Sequence, residues 1–232
     1  MSTAALVLAA GRGERLAAGV PKAFVPLAGV PILVRALAAL AAVPEVDRVV
    51  PVLPPGERGR FAAFGEALRR IPKLAEPVEG GSERQDSVRA GLEALPAEVA
   101  WVAVHDAARA LVRPAAVSRV IAEARRSGAA LLAVPTRDTI KRVRDGLVVE
   151  TPPRAECWAA QTPQVFRVEL LREALAKAAA DGVLGTDDAQ LVERLGVPVA
   201  VVAGDPDNWK ITDARDLAAA EAWLRARGEA GA

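Results

Sequence analysis

The sequence predicts an α/β fold, a mostly parallel sheet with helices on both faces and a β-hairpin outside the regular pattern. Three observations predict it. Short apolar, β-rich runs alternate with segments of helical periodicity, the pattern that builds a parallel sheet through right-handed crossovers. The first run, AALVLA at 4–9, is continuously apolar, as a strand buried on both faces requires. One polar, β-branched stretch, RDTIKRVRDGLVVET at 137–151, carries Asp145-Gly146 near its middle, a strong hairpin signal.

After the first strand, Pro31 opens PILVRALAALAAV, whose apolar positions recur at helical spacing. A strand DRVVPVL (47–53), a helix near 57–70 and a strand KLAEPV (73–78) follow. SERQDSVRAGLEAL begins with Ser82 and has Gln85 three residues on, a capping box at a helix start. AWVAVH (100–105) is the next strand, then a helix near 114–127 ending at Gly128, and a strand AALLAV (129–134). Helices near 168–180, 187–195 and 213–227 enclose a further strand, VPVAVV (197–202). No repeat, low-complexity stretch or linker divides residues 1–232, so they read as one domain with an arm at about 136–155. A lone two-stranded hairpin is marginal in water. The arm therefore packs on its own subunit or reaches onto a second copy in a symmetric dimer.

Bulk properties exclude several classes. Lys and Arg total 30 against 29 Asp and Glu, so no overall basic excess points to nucleic acid. No apolar run approaches the roughly 18 residues of a membrane span. Residues 4–10 read as a strand rather than a signal-peptide core, because no Lys or Arg precedes them. The single cysteine, Cys157, forms no disulfide within the chain, which fits a reducing compartment and a cytoplasmic location. One histidine and one cysteine leave little material for a His-based triad or a zinc site.

In an open parallel sheet, ligands bind beyond the carboxyl ends of the strands. Four such ends carry glycines, acids and cations: Ala9-Ala10-Gly11, Glu79-Gly80-Gly81-Ser82, His105-Asp106-Ala107-Ala108-Arg109, and Gly204 to Lys210. The loop LAAGRGERLAAGVPK, Leu8 to Lys22, misses both common phosphate fingerprints. Gly11 and Gly13 begin the dinucleotide pattern, but Leu16 replaces its last glycine, which argues against a dehydrogenase. Leu16 also breaks the Walker pattern, and the lysine arrives only at Lys22. Two glycines, with Arg12, Arg15 and Lys22 against the single Glu14, still suit a phosphate; the other reading is a solvated basic turn. Gly80-Gly81 before a capped helix offer free amides to an anion, or make a simple strand-to-helix turn. Asp106 at a strand end suits Mg²⁺ beside phosphates or a helix cap. His105 reads as a packed structural residue. DPDNWK pairs Asp207 with Lys210, or is a turn with solvated charges. Thr186-Asp187-Asp188 reads as a helix N-terminus.

Together LAAGRGERLAAGVPK, GGSERQDSV, VHDAAR, PTRDTIKR, AAQTPQVF and DNWKIT resemble, in that order, the motifs of the 2-C-methyl-D-erythritol 4-phosphate cytidylyltransferase family of isoprenoid synthesis. The resemblance runs from about Ala4 to the last helix. It implies a Rossmann-like α/β fold with an arm exchanged in a homodimer. It implies transfer of CMP from CTP to methylerythritol phosphate with Mg²⁺, pyrophosphate leaving. Arg15 and Lys22 match the pair that stabilises the transition state, and Arg154 and Lys210 the pair that positions the acceptor phosphate. Ala9, Ala10, Gly11, Gly81, Ser82 and Ser87 match cytidine-binding positions, with Gly13 in the same loop. Asp106, Arg109, Thr139, Thr162 and Thr186 match further acceptor-site positions; Asp106 and Asp207 are the carboxylates at hand for the metal. Thr139 and Arg154, on or beside the arm, serve the partner's site in this reading. Ser82 stands where the family often has an acid, and Ala110 where it usually has proline. The competing readings are a nucleotidyltransferase for another sugar or polyol phosphate, and a non-catalytic nucleotide-binding regulator. The arm and VHDAAR argue against the first, and the intact Arg15, Lys22 and Asp106 against the second.

Overall fold

A computed structural model describes residues 1–11 and 20–229. In chain order the elements are β1 (Ser2–Leu8), β2 (Pro26–Leu27), β3 (Val30–Pro31), α1 (Ile32–Ala41), β4 (Arg48–Leu53), α2 (Arg58–Ala62), α3 (Glu66–Arg69), β5 (Val78–Glu79), α4 (Arg84–Glu93), β6 (Val99–Asp106), α5 (Pro114–Ser127) and β7 (Ala129–Pro135). The arm strands β8 (Arg142–Arg144) and β9 (Leu147–Glu150) follow, then β10 (Trp158–Arg167), α6 (Val168–Ala180), α7 (Asp188–Glu193), β11 (Ala200–Ala203) and α8 (Ala214–Ala226). Among the described residues the main sheet has seven strands, ordered β11-β7-β10-β6-β1-β4-β5. All neighbours run parallel except β10, which is antiparallel to both β6 and β7.

Strand β1 lies between β4 and β6, and its apolar run is buried on both faces. Ala5 and Val7 join the core beneath α1 and α5, with Leu37 and Ile121. Ala4 and Leu6 point the other way, toward α4 and α6, with Leu92 and Leu171. The alternation is the two-residue period of a strand. A third apolar cluster, including Leu27, Ile32, Leu111, Ile211 and Leu224, fastens α8 beneath the loops that carry Lys22 and Lys210.

Most expected elements are present, and the differences have local causes. The helix expected near 57–70 divides into α2 and α3 at Gly65, whose φ of 47° leaves the helical region. The strand expected at 73–78 reduces to β5 and an isolated bridge from Leu74 to Val49. The cap of α4 sits one residue later than Ser82: Asp86 accepts from the Glu83 amide at 3.3 Å, while buried Gln85 turns inward. Strand β10 was not expected at all. Proline is a poor residue for a central strand because it donates no hydrogen bond. Here Pro163 falls in the break of register between Gln161 and Gln164.

The Asp145-Gly146 turn forms as expected, with φ of 50° and 78°, the pair of left-handed residues a tight hairpin needs. Every residue from 137 to 151 is exposed. Leu147 is 72% and Val148 58% exposed. The first of the two readings of the arm, packing on its own subunit, is therefore not what the described residues do.

Asp213 caps α8, accepting from the amides of Arg215 at 2.8 Å and Asp216 at 3.0 Å. Asp213→Ala should lower stability by about 1 kcal/mol, read as a lower urea midpoint at unchanged slope.

Candidate active site

The carboxyl ends of β1 and β6 and the start of α4 surround a cavity of about 240 Å³. Ala9, Ala10 and Gly11 line one side, Gly81, Ser82 and Ser87 another, and Lys22, Asp106 and Lys210 the rim. Nine of the residues expected from the sequence thus meet in one place. Their loops approach closely: a Cβ on Gly80 would lie 2.7 Å from that of Ala10 and 2.6 Å from Ser87 Oγ. Ser87 is buried; its hydroxyl accepts from the Gly81 amide at 3.2 Å and donates to the Glu83 carbonyl at 3.1 Å. A second cavity, about 590 Å³, lies between α1, α3, α8 and the loop from Ala110 to Pro114. Its lining holds none of Ala9, Ala10, Gly11, Gly81, Ser82, Asp106 or Lys210, and its Arg113 pairs with Asp205 and Asp207 and its Arg70 with Glu66.

Asp106 is the hub of the smaller cavity. Its Oδ2 accepts from Lys210 Nζ at 2.8 Å and its Oδ1 from Arg84 Nε at 3.4 Å. Arg84 also donates to Asp188 Oδ2 at 2.7 Å. Burial opposes ionisation of Asp106, yet Arg84 and Lys210 hold its carboxyl well below the usual carboxylate range. Burial likewise opposes the charge of Arg84, but Asp188 and Asp106 outweigh it and raise its pKa. Burial pushes the Asp188 carboxyl up, against the pull of Arg84. The sequence reads Asp188 only as a helix-start acid and gives Arg84 no role. Their roles arise from pairings 22 and 104 residues apart, which no local pattern announces.

Hydrogen bonds fix the strand end behind Asp106. Its amide donates to Thr162 Oγ1 at 3.0 Å, and that hydroxyl lies 3.1 Å from His105 Nδ1. His105 Nε2 faces the Arg109 carbonyl at 3.2 Å. A carbonyl only accepts, so Nε2 carries the proton and Nδ1 takes the Thr162 hydroxyl proton. His105 is thus the structural residue expected, and Thr162 acts from behind the cavity. Arg109 donates to the carbonyls of Asn208 at 2.7 Å and Ala160 at 3.1 Å. Buried Asn208 donates in turn to the Thr162 carbonyl at 3.0 Å. These bonds hold the loop that delivers Lys210.

Other expectations fall elsewhere. Asp207 does not pair with Lys210: Arg113 donates to it at 3.3 Å, and Lys210 turns to Asp106 instead. The turn separates the two side chains despite their short spacing. Asp207 therefore has no place at the cavity. Thr186 is exposed and bonds to Gln190. Thr139 and Arg154 are exposed beside the arm, with Arg154 donating to the Arg137 carbonyl. Gly13 and Arg15 lie outside the described residues.

A cavity at the ends of a parallel sheet, walled by glycine and alanine backbone and rimmed by cations, suits an α/β protein that binds a nucleotide or phosphate. The 2-C-methyl-D-erythritol 4-phosphate cytidylyltransferase family model matches residues 3–226. The chain belongs to that family. It is 46% identical over 220 residues to the protein of that name from Symbiobacterium thermophilum, covering 94% of this chain and 91% of the relative. It is 48% identical over 230 residues to that of Chromobacterium violaceum, covering 97% and 99%. The crystal structure of the Thermus thermophilus enzyme matches with a TM-score of 0.79 at 39% identity, over 97% of this chain and 100% of that one. That of the Anaerococcus prevotii 4-diphosphocytidyl-2C-methyl-D-erythritol synthase matches with a TM-score of 0.86 at 28% identity, over 97% and 96%.

Burial lowers the His105 pKa from 6.5 to about 4. The folded chain then binds fewer protons than the unfolded one between those values. This contribution to stability is complete above pH 6.5 and is lost as pH falls toward 4. His105 is the only histidine, so its C2 proton gives one NMR titration, with an inflection expected near pH 4. An inflection near 6.5 contradicts the buried neutral ring.

Proposed function

We propose that this chain transfers CMP from CTP to 2-C-methyl-D-erythritol 4-phosphate at the cavity around Asp106, giving CDP-methylerythritol and pyrophosphate. The observation that carries this reading is the meeting of Lys22, Lys210 and Arg84 around backbone loops at the ends of β1 and β6. The cytidine lies against Ala9, Ala10, Gly11, Gly81, Ser82 and Ser87, and Gly13 is assigned to the same site by its motif alone. Arg15 and Lys22 face the triphosphate. Lys210 takes the acceptor phosphate, with Arg154 and Thr139 supplied by a second copy through the arm. Asp106 borders the acceptor, while Thr162 and Arg109 fix the strand end and the loop behind it; Thr186, outside the cavity lining, is assigned to the acceptor by the family motif alone.

Little covalent help is required of the protein. An anionic oxygen of the acceptor phosphate forms a bond to the α-phosphorus as the bond to the β-phosphate oxygen breaks and pyrophosphate leaves. The nucleophile is already charged, so no general base is needed, and positioning and charge stabilisation do the work. The described residues contain no group of three or more metal-ligating side chains. Both oxygens of Asp106 already accept from cations, and Asp207 accepts from Arg113. They do not fit a protein-built magnesium cage, so Mg²⁺ belongs in this reading to the nucleotide's phosphates.

The exposed Val143, Leu147 and Val148, which a partner would cover, support a homodimer through the arm. No helix among the described residues is long and apolar enough to cross a membrane; the cytoplasmic placement rests on the single cysteine.

Pyrophosphate release should need CTP, methylerythritol phosphate and Mg²⁺ together; no release with all three present refutes the reading. Arg15→Ala and Lys22→Ala should each lower kcat by about two powers of ten, measured by the same assay. Leu147→Asp with Val148→Asp should shift the mass in light scattering from dimer to monomer and reduce turnover. A monomer in the unaltered chain, fully active, contradicts the arm's role.

A further inference from the structure

The two cations on Asp106 are not equivalent. Lys210 is 44% exposed, carried at the cavity rim on a flexible stem. Arg84 is 28% exposed and anchored at its far side by Asp188, which is 1% exposed. Asp188 Oδ1 has no hydrogen-bond partner and is buried, so Arg84 is the cation that compensates Asp188. The four side chains form a neutral set, two cations and two anions, as a desolvated cluster requires. Arg84 is also the first residue of α4, next to the Gly81-Ser82 loop, and Asp188 is the first of α7, two residues after Thr186. The pair therefore ties the start of α4, which lines the cavity, to the start of α7, with Asp106 between α4 and Lys210.

An arriving phosphate competes with Asp106 for Lys210. If Lys210 leaves, Asp106 stays paired only because Arg84 remains. Building on the cytidylyl-transfer reading above, we propose that Arg84, braced by Asp188, is a positioning residue that holds Asp106 while Lys210 turns to the acceptor phosphate. Without Arg84, Lys210 becomes the sole counter-ion of Asp106 and is less available to the acceptor.

Arg84→Gln alone strands the buried Asp188 charge and can prevent folding, so the decisive variant is Arg84→Gln with Asp188→Asn. It removes one cation and one anion together. Its melting temperature should stay close to that of the unaltered chain. Its kcat/KM for methylerythritol phosphate should still fall by about tenfold or more, with KM for CTP changed less. Arg84→Lys, which keeps the charge, should recover part of that loss. Wild-type kinetics in the double variant would make the pair a purely structural clamp and overturn the proposal. A second measurement does not depend on turnover. Limited acylation by acetic anhydride, followed at the Lys210 peptide by mass spectrometry, should be slower in the double variant, because Lys210 is then held more firmly by Asp106. An unchanged or faster rate overturns the proposal. If the unaltered chain releases no pyrophosphate, the functional reading fails, and the acylation rate still decides on the clamp.

Discussion

Asp106 is the point on which the site depends. A carboxylate this enclosed, with a side chain only 13% exposed, persists in charged form only when cations compensate it. Arg84 and Lys210 do so from opposite sides, one from the start of α4 and the other from the loop before α8. Three segments far apart in the chain are thereby held at one strand end. The hydrogen bonds behind Asp106, through Thr162, His105 and Arg109, fix the backbone from which the carboxylate projects. Removing one partner from such a cluster costs more than removing a balanced pair, since an uncompensated buried charge remains.

The fold explains why this cluster sits where ligands bind. The alternating burial of β1 fills both faces of the sheet, leaving the strand ends as the open edge. There the backbone turns sharply, and small residues keep the loops close. The contact of Gly80 with Ala10 and Ser87 leaves no room for a side chain. The walls are therefore mainly backbone, while the charges enter from the rim. That division suits a reaction in which a base and ribose are recognised at fixed positions and phosphate charge is handled by longer side chains.

Much of this was legible in the sequence because it rests on local patterns. The apolar run of β1, the Pro114 and Gly128 ends of α5 and the Asp145-Gly146 turn each have a short-range cause. Nine cavity residues were recognised through their motifs. What escaped depends on distant pairing. β10 was hidden because Pro163 contradicts a central strand, and only its neighbours β6 and β7 accommodate the break. Arg84 carries no local signal, since its partners Asp106 and Asp188 lie far along the chain. Asp207 and Lys210 looked like a pair by spacing, but the loop sends them to Arg113 and Asp106.

The most direct measurement is a crystal structure with a non-hydrolysable CTP analogue and methylerythritol phosphate. The account predicts the cytosine against the amides of Gly81 and Ser82, the α-phosphate near Lys22, and Lys210 turned from Asp106 to the acceptor phosphate while Arg84 keeps its place. Nucleotide lodged in the cavity between α1, α3 and α8, with Lys210 still on Asp106, would contradict it.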